Sequence, residues 1–333
     1  RRLFTREAAQ LTSIRYSEQA IRESIPEFIL RLWNTYSFFV IYADIDGFDP
    51  ASELAGEVGE LGPEVLAKAS SYRPLAERSE LDRWILSELH RTTELVTERM
   101  DAYDNYAAAG HLTSLLDALS NWYVRRSRDR FWRSEFDADK ADAYWTLYES
   151  LLTFTKLAAP FVPFIAEALW KALAREPFGD RAVESVHLCD FPGPDTAAID
   201  ASLSEQMRLV REVVSQGRSA RMQAQLKVRQ PLDKVFVVVA DPAHRTWLED
   251  HSGLILEELN VKAIEFPEAA EQYITYTVLP DLKRLGPKIG KQIPALKKAL
   301  ATDDDAELMG RMEADGKGSL SMGDSDLELT PED

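Results

Sequence analysis

The sequence predicts a mainly α-helical protein: an antiparallel helical bundle followed by a smaller α+β domain. Between residues 16 and 175, long stretches repeat apolar residues every three or four positions, which is the period of an amphipathic helix. Short connections between most of these stretches favour antiparallel neighbours. Beyond residue 195 the pattern changes to compact β-branched runs, which are typical of strands.

The length of 333 residues predicts more than one hydrophobic core. We expect the bundle over residues 1–195, with a long surface loop at 44–74 that holds at most one short helix, and an α+β domain over 196–300. Residues 301–333 hold eleven acidic and two basic residues, more than half of the chain's net charge of -17. Such a composition predicts an acidic, flexible tail.

Four helical stretches define the predicted bundle. The first spans Tyr16–Tyr42, and Pro26 is expected to kink or restart it. The second begins with Ser79 as the N-terminal cap. A third runs from about Tyr106 to Trp132. The fourth runs from about Lys140 to Arg175, and its two prolines predict a break near Ala159.

The second domain is predicted to mix a small sheet with helices. Three β-branched runs predict strands, of which the first is expected to be buried: Lys234–Ala240, Val261–Phe266 and Gln272–Val278. Three stretches predict helices: Leu203–Leu226, Trp247–Leu259 and Pro287–Leu300.

Composition excludes several classes of protein. Cys189 is the single cysteine and the five histidines lie far apart, so we expect neither a disulfide nor a structural metal site. There is no apolar run of about 18 residues and no signal peptide, and a cytoplasmic location is expected. Because the chain starts without Met, we expect it to be part of a longer protein.

The stretch LSNWYVRRSRDRFW, at Leu119–Trp132, and the Arg133 that follows it together hold five arginines and four aromatic residues. Arginine forks bind phosphates bidentately, and aromatic rings stack on unpaired bases, so this stretch favours RNA binding. A structural alternative stays open at this point. Arginines near the end of a helix complement its dipole, and Arg128 can pair with Asp137 or Asp139.

Several segments resemble one known family and occur in its order. SELDRWILSEL and LSNWYVRRSRDRFW look like the anticodon-binding helices of class I isoleucyl-tRNA synthetases. RYSEQAIRE, LRLWNTYSFF, APFVPFIAEALW and SVHLCDFP resemble neighbouring segments of the same bundle. LKVRQPL and DLKRLGPKIGKQIPAL resemble the region that follows it.

The resemblance implies an ATP-dependent ligase that joins isoleucine to its tRNA. The HIGH and KMSKS signatures of its catalytic domain do not occur here, so the chain is expected to be inactive alone. ATP and Mg are then expected in a missing domain, and no cofactor in this fragment. The implied partners are the tRNA(Ile) anticodon arm and the catalytic and editing domains of the parent chain. The single cysteine further suggests a zinc-free, eukaryote-like branch, and the protein is expected to be a monomer.

The resemblance also implies a set of nucleic-acid contacts in the motif and in LKVRQPL. They are Asn121, Trp122, Arg125, Arg126, Arg128, Arg130, Arg133, Lys227, Arg229 and Gln230. For Trp122 and Trp132 a place in the core is favoured over RNA contact, and the same holds more strongly for Trp33, Tyr36 and Trp84. Lys227 and Arg229 could equally cap the carbonyls of the helix before them.

Two alternatives stay open. The chain could come from a valyl- or leucyl-tRNA synthetase, since those enzymes share the bundle. It could instead be a helical protein-interaction scaffold without RNA binding, which suits the acidic net charge better.

Overall fold

A computed structural model gives the structure of the protein. It describes residues 22, 25–239, 241–267, 280, 285, 290–300, 312, 317–321 and 326–330, without the side chains of residues 242, 291, 297 and 326. The chain divides into two compact units, residues 1–211 and 212–333, which are described separately. The predicted boundary at residue 195 precedes this division.

The first unit is built from helices, which confirms the mainly α prediction. Its helices are α1 (Leu30–Asp46), the short α2 (Pro50–Glu53) and α3 (Pro63–Leu66), α4 (Glu80–Asp101), α5 (Asn105–Asp117), α6 (Arg125–Trp132), α7 (Ala138–Ala158), α8 (Pro163–Trp170), α9 (Glu176–Phe178) and the first half of α10 (Ala201–Gln223). Three π-helical turns precede or join them: Ile25–Ile29, Ala118–Val124 and Lys171–Arg175.

Helix α7 forms the centre of this unit. Every residue from Lys140 to Ala158 is buried, because the sequence is apolar or small around most of the helix. It packs against α1, α4, α6 and α8. Trp145, Tyr144 and Tyr148 are among the largest fully buried side chains, so aromatic rings supply much of the core.

Side-chain caps fix where the bundle helices begin. Ser79 Oγ accepts a hydrogen bond from the Asp82 amide at 3.2 Å, which confirms the predicted start of α4. Asp104 caps α5 in the same way at 3.1 Å, and Asp137 caps α7 at 2.8 Å. The predicted break near Ala159 is also confirmed, since α7 ends at Ala158.

The predicted loop at 44–74 begins later than expected, because α1 continues to Asp46. It also contains helices α2 and α3, and Leu54, Val58 and Leu66 within it are buried. The segment therefore contributes to the core, and the prediction of a long surface loop was wrong in this respect.

The second unit contains a small parallel sheet. Strand β1 (Leu232–Phe236) pairs with β2 (Val261–Glu265), with Leu232 opposite Val261. Helices α11 (Pro242–Asp250) and α12 (Ser252–Leu259) connect the two strands. Strand β1 begins earlier than predicted and is largely exposed rather than buried. The predicted strand Gln272–Val278 lies outside the described residues.

The unit also includes helix α13 (Ile293–Leu300) and an antiparallel hairpin of β3 (Gly318–Ser321) and β4 (Asp326–Leu329). Leu320 and Leu329 of the hairpin are buried together with Leu285 and Leu296. The described part of the segment predicted to be a flexible tail thus holds paired strands and buried leucines. Among the described residues, no helix is both long enough and apolar enough to cross a membrane.

Candidate nucleic-acid interface

The arginine-rich motif lies on one continuous helical rod formed by α5, the π-helical turn Ala118–Val124 and α6. A π-helical turn holds one more residue than an α-helical turn, so it rotates the residues after it around the axis. A helix face that is assigned with the regular α-helical period before the turn therefore points in a different direction for the residues after Val124. All five arginines of the motif follow this turn, and none of the turn's own seven residues is an arginine.

Arg130 lies inside the bundle. Its guanidinium donates to both carboxylate oxygens of Asp82, at 2.9 and 2.7 Å, and it also binds Asp139 at 2.9 Å. The same carboxylate accepts two more hydrogen bonds. The Tyr123 hydroxyl donates to Asp82 Oδ1 at 2.6 Å, and the Ser79 hydroxyl donates to Asp82 Oδ2 at 2.6 Å. Arg130 is 8% exposed, so its prediction as an RNA contact is corrected: it ties α6 to α4.

The charge on Asp82 depends on these partners. Burial alone would raise the pKa of Asp82, but the hydrogen bonds and charge of Arg130, with the hydroxyls of Ser79 and Tyr123, outweigh it and lower the pKa. Asp82 therefore stays ionised at neutral pH. A buried ion pair of this kind fixes the relative positions of the helices that carry it.

Arg133 is at the surface but is paired. Its guanidinium binds Asp137 at 3.1 Å and Asp139 at 3.0 Å, the two carboxylates that the structural alternative assigned to Arg128. Exposed pairs of this kind contribute at most about 1 kcal/mol, so a phosphate could replace these partners at low cost. Arg128 is exposed and makes no ion pair with the described residues.

Arg125 and Arg126 are both half-buried. Arg125 donates from Nε to the Asn121 carbonyl oxygen at 3.0 Å, and its guanidinium lies 5.9 Å from the Trp122 ring centroid. Trp122 is buried, as the core interpretation predicted. Its indole Nε1 is buried with no hydrogen-bond partner among the described residues.

Asn121 is exposed, and its side-chain amide donates to Asp117 at 2.7 Å. The same carboxylate accepts hydrogen bonds from Arg31 and Arg211, each at 3.0 Å. Asp117 therefore joins α1, α10 and the π-helical turn at one point.

Trp132 was predicted to lie in the core, and this was wrong. It is 56% exposed, and its Nε1 donates to the Tyr42 hydroxyl at 2.6 Å. Arg125, Arg128 and Trp132 are spaced three and four residues apart, so they share one face of the helix. We call these three residues the outer face of α6. Trp33 was also predicted in the core but is about half exposed, whereas Trp84 is buried as expected.

The predicted contacts in LKVRQPL lie on a turn in the second unit. Arg221 is buried and donates to the carbonyl oxygens of Lys227 and Gln230, each at 3.1 Å. Its other terminal nitrogen donates to the Leu259 and Asn260 carbonyl oxygens, at 2.6 and 3.1 Å. The guanidinium of Arg221, rather than the side chains of the turn, thus satisfies the backbone here.

The side chains of Lys227, Arg229 and Gln230 are exposed. With the backbone carbonyls of the turn held by Arg221, these side chains are available for other contacts. The turn (residues 227–230) therefore presents two cations and one amide from a fixed backbone.

Sequence reasoning missed three residues of the site: Asp82, Asp117 and Arg221. Asp82 was recognised only as part of a helix cap, although it lies in a SELDRWIL segment that the resemblance singled out. Its partner Arg130 is 48 residues away, and no periodic pattern connects such positions. Asp117 and Arg221 carried no sequence signal.

One family model matches the central part of the chain. Residues 82–237 match the model of the family described as anticodon-binding domain of tRNA ligase. The matched range includes both the arginine-rich motif and the 227–230 turn.

Curated relatives extend the similarity along most of the chain. An isoleucine–tRNA ligase of Dehalococcoides mccartyi is 48% identical over 269 residues, which cover 79% of this chain and 24% of the relative. One from Thermus thermophilus is 40% identical over 287 residues, which cover 86% of this chain and 26% of the relative. One from Chlamydia trachomatis is 36% identical over 320 residues, which cover 96% of this chain and 28% of the relative.

The chain thus spans about a quarter of the length of the curated relatives that it matches. Residues 82–237 are thus similar to the anticodon-binding domain of tRNA ligases, and most of the chain is similar to part of isoleucine–tRNA ligases.

Proposed function

We propose that this chain binds the anticodon arm of tRNA(Ile), within a longer protein that joins isoleucine to that tRNA with ATP. The observation that carries the proposal is the family match over residues 82–237, which encloses the two exposed cationic surfaces. These surfaces are the outer face of α6 and the 227–230 turn. The similarity to isoleucine–tRNA ligases favours isoleucine over valine or leucine as the amino acid.

The outer face of α6 combines the two groups that bind single-stranded RNA. Arg128 offers a guanidinium to phosphate, and the exposed ring of Trp132 offers a stacking surface. Arg130 supports this face indirectly, because its ion pair with Asp82 holds α6 against the bundle. A rigid helix that presents cation and ring together positions an RNA arm better than a mobile loop.

The 227–230 turn would supply a second, separate contact. Lys227 and Arg229 are suited to phosphate, and the Gln230 amide can both donate and accept hydrogen bonds. The four carbonyl bonds made by Arg221 reduce the entropy that the turn would lose on binding.

Filter binding of a tRNA(Ile) transcript at several salt concentrations tests the first surface. We expect Arg128→Ala to weaken binding and to reduce the slope of log affinity against log salt by somewhat less than one, about the value of one phosphate contact. Trp132→Ala should weaken binding by about fivefold or more without changing that slope, because stacking is uncharged. Arg208→Ala, which removes the same charge from α10, is the matched control.

Unchanged affinity and salt slope in both Arg128→Ala and Trp132→Ala would contradict the use of this face. A loss of the same size in Arg208→Ala would show that only net charge matters. A tRNA of another specificity, bound equally well, would argue against recognition of the anticodon.

A second candidate function is docking of other parts of the longer protein. Helix α1 exposes Trp33, Ile41 and Ile45, which lie at spacings of eight and four along one side of the helix. We propose this side as a contact for the catalytic or editing domain of the parent chain. Calorimetric titration with the preceding domains of the parent should show weaker binding by the Trp33→Ser, Ile45→Ser variant, whereas unchanged binding would contradict the contact.

ATP and Mg are proposed to act outside this chain, because its sequence holds neither HIGH nor KMSKS. The chain alone should then catalyse no isoleucine-dependent exchange of pyrophosphate into ATP. Exchange by the purified chain would contradict this assignment.

We also propose that this region works as a monomer in the cytoplasm and needs no zinc. The single Cys189 supports the absence of a cysteine-based zinc site. The further assignment to a eukaryote-like branch has no support among the relatives described above, which are bacterial. Light scattering tests the monomer, and metal analysis after dialysis should find less than one zinc per ten chains.

A further inference from the structure

A groove of about 930 Å³ lies within the first unit, and neither exposed cationic surface includes it. It is bordered by the start of α1, by α4, by α5 and by Arg211 of α10. Its lining includes one exposed ring, Tyr106, and three arginines, Arg31, Arg91 and Arg211.

The charges of the groove balance. Its three arginines are matched by three carboxylates, Glu27, Glu88 and Asp117. Asp117 binds both Arg31 and Arg211, and Arg91 lies 3.9 Å from Glu88. Such a groove is a poor site for a phosphate group. Its closely mixed donors and acceptors instead match the edge of a nucleobase, which also carries both kinds of group.

An aromatic ring completes the site. Tyr106 lines the groove from the first turn of α5, yet it is 73% exposed. Tyr103, in the turn just before, is 86% exposed and has a φ of 58°. Bulky residues rarely adopt positive φ, and such conformations concentrate where function requires them. Exposed tyrosines on a fixed backbone are suited to stacking on unpaired bases.

The groove is connected to the arginine-rich motif through one carboxylate. Asp117 lines the groove and accepts the amide of Asn121 at 2.7 Å. Asn121 lies in the π-helical turn that precedes the outer face of α6. A nucleotide in the groove would therefore lie on the same helical rod as the proposed phosphate contacts.

We propose that this groove binds one unstacked base of an RNA loop, with the Tyr106 ring stacked on the base and the arginines and carboxylates of the groove hydrogen-bonded to its edge. The inference rests on the proposed function and adds a base-binding site to it. The phosphates of the same loop remain outside the groove, on the outer face of α6.

Fluorescence of 2-aminopurine, placed at each position of the anticodon loop in turn, tests this site in the full chain. Binding by the unchanged chain should alter the fluorescence strongly at one position, relative to the other positions of the loop. Tyr106→Ala should abolish that response and weaken tRNA binding about tenfold, with an unchanged salt slope because the lost contact is uncharged. Tyr106→Phe keeps the ring and should keep both the response and most of the affinity.

Phe164→Ala is the matched control, because Phe164 is a 91% exposed ring on α8 that does not line the groove. A full response in Tyr106→Ala, or an equal loss in Tyr106→Phe and Tyr106→Ala, would overturn stacking in the groove while leaving the proposed function intact. If the unchanged chain binds no tRNA, both proposals are overturned.

Discussion

Arg130 and Arg133 are three residues apart in one motif, but the structure gives them different environments. Arg130 is buried against Asp82, while Arg133 pairs with carboxylates at the surface. Removing one partner of a buried pair leaves an uncompensated charge, whereas an exposed pair is already largely solvated. The two arginines should therefore differ in what they contribute to stability.

Arg130→Ala should lower the free energy of unfolding by about 3–5 kcal/mol, because Asp82 would remain buried and ionised without its partner. Urea unfolding followed by circular dichroism measures the loss. Arg133→Ala is the control and should cost at most about 1 kcal/mol. Equal losses in the two variants would contradict the difference in burial.

His90 connects α4 to the segment before α10. The backbone amide of Asp195 donates to His90 Nδ1 at 3.1 Å, and His90 Nε2 lies 4.0 Å from Glu149 Oε1. Burial lowers the pKa of His90, although the charge of Asp195 opposes this. Burial also raises the pKa of Glu149, against the bond from Tyr72 and the charge of Arg78.

Lowering the pH should destabilise the protein through His90. Below its ordinary pKa of 6.5, the unfolded chain binds a proton that the folded His90 does not, so stability falls until the pH passes the lowered folded pKa. His90→Gln should lose less stability than the unchanged protein between pH 7.5 and pH 5.5 in urea unfolding. Glu149 acts in the opposite direction and is present in both proteins, so a steeper loss in the variant would contradict the role of His90.

At the scale of elements, close packing explains a glycine in the middle of α10. A Cβ added to Gly217 would lie 2.6 Å from Leu259 Cδ1 and 2.7 Å from Cδ2. Leu259 is buried at the end of α12, so its side chain has little room to move. Helices α10 and α12 can therefore approach this closely only because Gly217 has no side chain.

Gly217→Ala should lower the stability of the second unit by about 1–3 kcal/mol through overpacking, although alanine favours a helix by about 1 kcal/mol over glycine. Thermal unfolding measures the change. Gly253→Ala in α12 is the control, since nothing lies within 4 Å of its added Cβ, and it should not destabilise. A stabilised Gly217→Ala would show that helix propensity outweighs packing here.

At the scale of the whole molecule, charge is distributed unevenly. The chain carries a net charge of -17, yet cations are exposed on the outer face of α6 and on the 227–230 turn. Local positive surfaces of this kind can attract a polyanion despite the overall sign. The acidic residues after position 300 add much of the negative charge, and the described strands β3 and β4 lie among them.

Leu320→Ala and Leu329→Ala should each destabilise the second unit by about 2–5 kcal/mol, because both side chains are buried with Leu285 and Leu296. Hydrogen exchange of α13 and of the hairpin measures the effect. Ser319→Ala, at an exposed position of β3, is the control and should have little effect. If neither leucine variant changes exchange, the last segment behaves as the flexible tail that its composition predicted.

The sequence by itself determined the helical class, the Ser79 cap, the break after Ala158 and the resemblance to the synthetase family. These features depend on local patterns: a period of three to four residues, a capping side chain and prolines. The arginine-rich motif was recognisable for the same reason, since all of its residues lie within one short stretch.

Only the tertiary structure decided which arginine of that motif is buried. The partners Asp82 and Arg130 lie 48 residues apart, and the π-helical turn rotates the arginines relative to a regular helix. The exposure of Trp33 and Trp132 was likewise misjudged, because a large ring is apolar whether it lies in a core or on a binding surface. Periodicity gives the face of a helix, but burial depends on which distant elements cover that face.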